Sequence, residues 1–112
     1  MSRTGRYDEL VQRLSQGVLD TPGAAPSALR RAVLERGKRP GSAARDALPP
    51  DLASYVDKVA RHAYKVTDAD LASLQATHSE DALFELTVAA TVGAALHRLE
   101  RGMAALRGQE PD

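Results

Sequence analysis

The 112-residue sequence contains no cysteine. That single absence excludes disulfides, thiol nucleophiles, thiolate metal sites and dithiol redox pairs. It suits a reducing cytosol. Aromatic residues are scarce, at 4%, so a core has few large anchors and needs close helix–helix contact or a partner subunit. Net charge is also missing, because 15 basic residues balance 15 acidic ones. The N-terminal stretch "MSRTGRYDEL" has none of the apolar character of a secretory signal. The one long apolar run, Ala82 to Leu96, is 15 residues and holds Glu85, short of the roughly 20 that span a bilayer. A cytoplasmic protein without a membrane segment is expected.

What the chain does have is alanine, leucine and valine, which make up most of its 43% hydrophobic content. Alanine and leucine lose little rotamer freedom in a helix, so composition leans to α. Tyr7, Leu10, Val11, Leu14 and Val18 follow the spacing of one apolar helix stripe. "DTPGAAP" breaks it. A second helix is predicted from Pro26 to Arg36, with Ala28, Leu29, Ala32 and Val33 as its stripe and Gly37 at its end. "GKRPGSAARDALPP" (37–50) reads as a long loop, and its cluster Arg36, Lys38 and Arg39 offers either an anion site or, more simply, solvated charge.

After Pro50, the residues Leu52, Tyr55, Val56, Val59, Ala60 and Ala63 define an amphipathic helix, with Asp57 and Arg61 spaced for an ion pair on its wet face. Thr67 is placed to cap a short helix that turns Leu71 and Leu74 inward, and Ser79 to cap the longest one, Glu80 to about Leu106. The first half of that last helix is apolar on every face, so it should be enclosed by other helices. Ala89, Ala90, Gly93, Ala94 and Ala95 keep it thin, letting neighbouring backbones approach. The expectation is a single all-α domain over 1–112, a compact bundle of five or six helices around a central buried C-terminal helix. Residues 1–48 supply N-terminal helices and the basic loop, and 49–112 the helical core. The two halves differ in charge, +4 over residues 1–50 and −4 over 51–112, which suits attraction within the fold or between subunits. No concentrated basic face points to nucleic acid.

The segments "VTDADL" and "SEDALFELTVAATVGAALHRLE", within residues 55–106, resemble the small bacterial proteins of the carboxymuconolactone decarboxylase / alkylhydroperoxidase D-like superfamily. The resemblance covers about half the chain and rests on a hydrophobic framework. It implies an alkylhydroperoxidase D-like helical fold and a homo-oligomer of the trimer or hexamer type. The peroxidase branch carries a Cys-x-x-Cys pair with a His four residues beyond it. If His62 takes the place of that His, both cysteine positions fall on non-thiol residues, so thiol peroxidase activity is excluded. The glycine that the family places before the long helix is also missing, with Thr77 and His78 there instead. The decarboxylase branch resembles a cofactor-independent acid–base enzyme on a small cyclic acid, but no residue here matches its catalytic set.

Two residues are candidates for chemistry. Glu85, among apolar neighbours, would have its charged form disfavoured and its pKa raised, which suits proton transfer near neutral pH. His62, beside an apolar stripe, would be the complementary base. Since no recognisable catalytic partner accompanies it, Glu85 is read more readily as a pin in a helix interface, at a helix edge or paired with Arg61 or Arg98, than as a reagent. Tyr64, His78 and Arg98 are candidate binding residues. No pair of histidines has i, i+4 spacing and no HExxH motif occurs, so neither metal nor cofactor is expected. Three functions remain. The first is an oligomeric binding or structural module without thiol chemistry, with room for a small ligand between subunits. The second is an acid–base enzyme (decarboxylase, lyase or isomerase-like) using Glu85 and His62 on a small organic acid. The third is a protein-binding partner that docks through the basic N-terminal half.

Overall fold

The computed structural model describes residues 3–20, 22–40 and 48–108. Among the described residues there are five α-helices: α1 (Arg3–Leu19), α2 (Ser27–Lys38), α3 (Pro50–His62), α4 (Asp68–Gln75) and α5 (Glu80–Leu106). One 3-10 turn, Ala63–Lys65, joins α3 to α4. Among the described residues there is no strand. The protein is all-α, and α5 is its axis. Residues 41–47 of the expected long loop lie outside the described residues.

Local chemistry sets the helix ends. Pro50 opens α3, where its missing N–H leaves no bond unmade. The Thr67 hydroxyl accepts from the Asp70 amide while the Asp70 carboxylate accepts from the Thr67 amide, a reciprocal cap that starts α4. Lys58 donates to the same carboxylate at 2.9 Å and ties α4 back along α3. The Thr67 amide first, and Lys58 after it, hold the Asp70 carboxyl below its ordinary range. Ser79 accepts from the Ala82 amide and starts α5, with Glu80 and Asp81 at the positive end of the helix dipole.

Helices α2 and α3 run beside α5 in the same direction as it does. Ala25 adjoins Glu85 and Lys38 reaches Glu100, while Tyr55 bonds Thr87 and the Ala60 carbonyl meets Arg98. The contact between α2 and α5 is the most extensive in the molecule. Its centre has no side chains at all. A Cβ on Gly37 would lie 2.5 Å from the Ala90 carbonyl oxygen, and one on Gly93 would run into the Leu34 carbonyl oxygen and the Lys38 amide. Ala89, Ala90 and Ala94 are buried on the same helix, so the thin stretch of α5 does admit a neighbouring backbone. Gly37 does not end α2 as its sequence position suggested. The helix runs on to Lys38, and Gly37 is buried at the crossing.

Two further expectations need correction. The inward face of α2 is Arg30, Val33, Leu34 and Gly37; Ala28 is exposed and Leu29 and Ala32 are only half-buried. The stripe is rotated because the crossing requires Gly37, not an alanine, to face α5. The first half of α5 is also not wrapped on every side. Leu86, Ala89 and Ala90 are fully buried, but Phe84 is 70% exposed and Val88 37%, on the side where an open cleft separates α5 from Gly17 and Val18 of α1. Among the described residues, α5 is the one helix whose length and composition would let it cross a membrane, and 44% of its most apolar stretch is buried within the fold.

Between α2 and α3, Arg36 donates through Nε and Nη2 to the two oxygens of Asp57, both at 2.8 Å. Arg61, the partner that spacing suggested for Asp57, donates to the Pro40 carbonyl instead, at 2.7 Å. The lateral Asp57 position is reached more directly from α2 than from one turn along α3.

Burial along α5 sets the cost of substitutions in it. Leu86→Ala, at a fully buried position, is expected to cost about 2–5 kcal/mol, while Leu106→Ala, at 82% exposure, should stay within about 0.5 kcal/mol of the parent. Urea denaturation of the two variants measures this, and comparable losses would show that the burial pattern of α5 is wrong.

Candidate functional site

Glu85 sits one turn into α5, where the chain between α1 and α2 passes over it. That passage is "PGAA", residues 22–25, and it presents two consecutive amides to the carboxylate. The Ala24 N–H donates to one Glu85 oxygen and the Ala25 N–H to the other, each at 2.8 Å. Gly23 lies in the same approach, since a Cβ there would lie 2.5 Å from Oε1 and would displace the carboxylate from its two amides. Both oxygens are thereby engaged, and the loop is fixed to α5 just before α2 begins.

Arg30 completes the arrangement. It is 95% buried, being 5% exposed, and its Nε donates to the Ala25 carbonyl at 3.1 Å while Nη1 donates to the Val18 carbonyl at 2.7 Å. It therefore fastens the end of α1 and the same loop. The Ser27 hydroxyl adds a bond to the Leu19 carbonyl at 2.7 Å. Buried charge is costly unless it is hydrogen-bonded, and the guanidinium meets that condition through the Ala25 and Val18 carbonyls.

The consequence for Glu85 is opposite in sign to the expectation from its apolar neighbours. The Ala25 and Ala24 amides, with the positive charge of Arg30, outweigh desolvation and hold its carboxyl below the ordinary range. A carboxylate stabilised in this way stays ionised at neutral pH and is a poor proton donor. It is a pin, and its arginine is Arg30 rather than Arg61 or Arg98.

Beside the pin lies a cleft of about 260 Å³ between α1 and α5. Gly17 and Val18 line it from α1, Phe84 and Val88 from α5, and Arg30 and Glu85 stand at its polar end. A second cleft, of about 280 Å³, flanks Phe84 on the α4 side and is lined by Tyr55, Leu71 and Thr87 among others. A third, of about 290 Å³, lies between α3 and α4 around the Lys58–Asp70 pair. Tyr55 is buried, with its hydroxyl 2.7 Å from that of Thr87.

The structure does not bring His62 to Glu85. His62 is exposed at the end of α3, two residues beyond Ala60, whose carbonyl accepts from Arg98 at 3.1 Å. From Glu85 to Arg98 is roughly 20 Å along a helix rising 1.5 Å per residue. The ring of His62 packs edge-on against Tyr64, with centroids 5.9 Å apart, and Tyr64 is 82% exposed with Lys65 over its ring. Tyr64 and Arg98 thus share one end of the molecule. His78 is half-buried in the turn between α4 and α5, its amide bonded to the Leu74 carbonyl. The five candidates form no single site, and no described cleft contains His62. Among the described residues no group of three His, Asp or Glu is placed to hold a metal ion. The basic cluster 36–39 is largely consumed in structure, Arg36 by Asp57 and Lys38 by Glu100.

Arg30 and Gly23 are the functional-site residues that pattern reading passed over. A signal for Arg30 is present, since it lies at i, i+3, i+4 and i+7 with Val33, Leu34 and Gly37, which places a charge within the buried stripe. Comparison with known proteins adds no name: no family model matches the chain, and neither a curated protein nor a solved structure is significantly similar to it.

A depressed folded-state pKa contributes stability that is present above the unfolded-state value and is lost as pH falls through the folded-state value. Glu85→Gln should therefore lower the melting temperature at neutral pH, and the gap to the parent should narrow as pH falls through the carboxylate range. Thermal melts across that range test the pin; a gap that is absent, or constant with pH, contradicts it.

Proposed function

We propose that this chain is a thiol-free helical module of the carboxymuconolactone decarboxylase / alkylhydroperoxidase D-like build, which acts by associating with further copies of itself and not by peroxide chemistry. The observation that supports this most is the uncovered side of the core. Phe84 is 70% exposed, and Leu10 and Leu14 on α1 are 60% and 46% exposed. Leu10, Leu14 and Val18 form one i, i+4, i+8 row on α1, and that row ends at the cleft that Val18 shares with Phe84 and Val88. Contiguous apolar surface of this kind marks an interaction site more often than chance exposure does.

A second copy is the occupant that the charges favour. Exposed Arg13 flanks the leucine row on α1, and exposed Asp81 flanks Phe84 on α5. A two-fold pairing sets α1 of each protomer against α5 of the other, so the apolar rows meet and opposite charges face across the rim. Pairs of this kind can also build the hexamer that the family resemblance implies. The acid–base enzyme has no comparable support, because its acid is committed to backbone amides and its base lies at the other end of the helix pair.

Native mass spectrometry and light scattering at micromolar concentration should show a multiple of the 12.0 kDa protomer. Phe84→Glu should leave helicity unchanged and raise the dissociation constant about a hundredfold or more, since each pair loses two buried aromatic side chains. A strict monomer in the parent, or an unchanged mass in Phe84→Glu, overturns the proposal.

A further inference from the structure

Arg30 has donors that the fold does not use. A guanidinium carries five N–H groups. Nε and Nη1 reach the Ala25 and Val18 carbonyls, while Nη2 makes no hydrogen bond to the described protein. A charged donor that is 95% buried and short of acceptors is costly. Arg30 is also part of the lining of the cleft between α1 and α5, whose other walls are Gly17, Val18, Phe84 and Val88. The cleft is therefore an apolar recess with one charge-assisted donor at its inner end.

Its size is informative. An apolar cavity of about 150 Å³ holds a benzene molecule, and this cleft has about 260 Å³. There is room for a six-membered ring carrying a small acceptor group. Charge narrows the choice further. Glu85 stands at the same polar end, ionised and bonded to two amides, so the Arg30–Glu85 pair is neutral as a unit. An anionic ligand reaching for Arg30 would bring a second negative charge up to the first. An uncharged oxygen acceptor meets no such opposition.

We propose that this cleft binds a small, uncharged, largely apolar carbonyl compound, its ring or short chain against Val18, Phe84 and Val88 and its oxygen accepting from Arg30 Nη2. The site is complete within one chain. It goes beyond the self-association proposed above and shares the Val18 and Phe84 surface with it.

Three probes of one size separate the possibilities: acetophenone, ethylbenzene, which has the same body without an acceptor, and benzoate, which carries a charge. Titration into isotopically labelled protein, followed through the Arg30 side chain and the amides of Gly17 and Val88, reads binding directly. Acetophenone should bind with a dissociation constant on the order of millimolar, as befits so few atoms, and at least about tenfold more tightly than either other probe. Because Arg30 also fastens the fold, the blocking variant is placed elsewhere. A Cβ at Gly17 meets nothing within 4 Å, so Gly17→Phe should fill the cleft with the helices intact and abolish the shifts. Equal binding of ethylbenzene, preference for benzoate, absence of binding by all three, or shifts that survive Gly17→Phe would each overturn the assignment. Repeating the titration in Leu10→Glu, which alters the exposed leucine row but no residue lining the cleft, at a concentration where that variant is monomeric keeps a failure of self-association distinct from a failure of the site.

Discussion

Between α2 and α5 the two backbones are in contact, and the remainder of the molecule is arranged around that contact. A chain with so few aromatic residues cannot gain much from any one buried side chain. It gains instead from many atoms brought into van der Waals range, which demands that the helices approach until only small residues fit between them. Gly37 and Gly93 are where that demand is absolute, since any side chain at either position would overlap the partner's backbone. Ala89, Ala90 and Ala94 extend the same close surface along α5.

The crossing has electrostatic consequences. Turning Gly37 toward α5 also turns Arg30 inward, because the two lie on one face of α2. A guanidinium forced inside must find acceptors, and it finds the carbonyls of Val18 and Ala25 together with the charge of Glu85. Glu85 in turn collects the amides of Ala24 and Ala25, which would otherwise be unpaired donors ahead of α2. One steric requirement thus leads to a buried, hydrogen-bonded guanidinium, a fixed loop and a cleft with a spare donor at its end. On the other flank of α2, Arg36 is carried to Asp57 and locates α3. The helix that touches α5 most closely also positions its neighbours.

Much of this architecture is legible in the sequence, and the illegible part has a definite cause. Helix starts are local events, and Pro50, Thr67 and Ser79 each sit where a start should be. The thinness of α5 can be read from its alanines and Gly93. What pattern cannot give is rotation about a helix axis when the apolar residues are small and widely spread. On α2 the alanines suggest one face and the glycine decides another, and Arg30 is overlooked because a charged residue is counted as surface. Glu85 is legible as a pin, but the direction of its pKa shift is misjudged for a related reason. Its sequence neighbours are apolar, but the groups that set its pKa come from some sixty residues away. The far-apart positions of His62 and Glu85 are likewise set by the parallel course of α3 and α5, which local spacing does not encode.

Four of the glycines within helices allow the central claim to be tested against its own control. Gly37 and Gly93 face backbone atoms at the crossing, whereas Gly17 and Gly102 face open space. Replacing each with alanine and measuring unfolding free energy in urea should give opposite signs. The crossing pair should lose roughly 1–3 kcal/mol through forced separation of the helices, and the open pair should gain up to about 1 kcal/mol from better helix propensity. If Gly93→Ala stabilises the protein as Gly102→Ala does, the backbones of α2 and α5 are not in contact, and the account built on that contact is wrong.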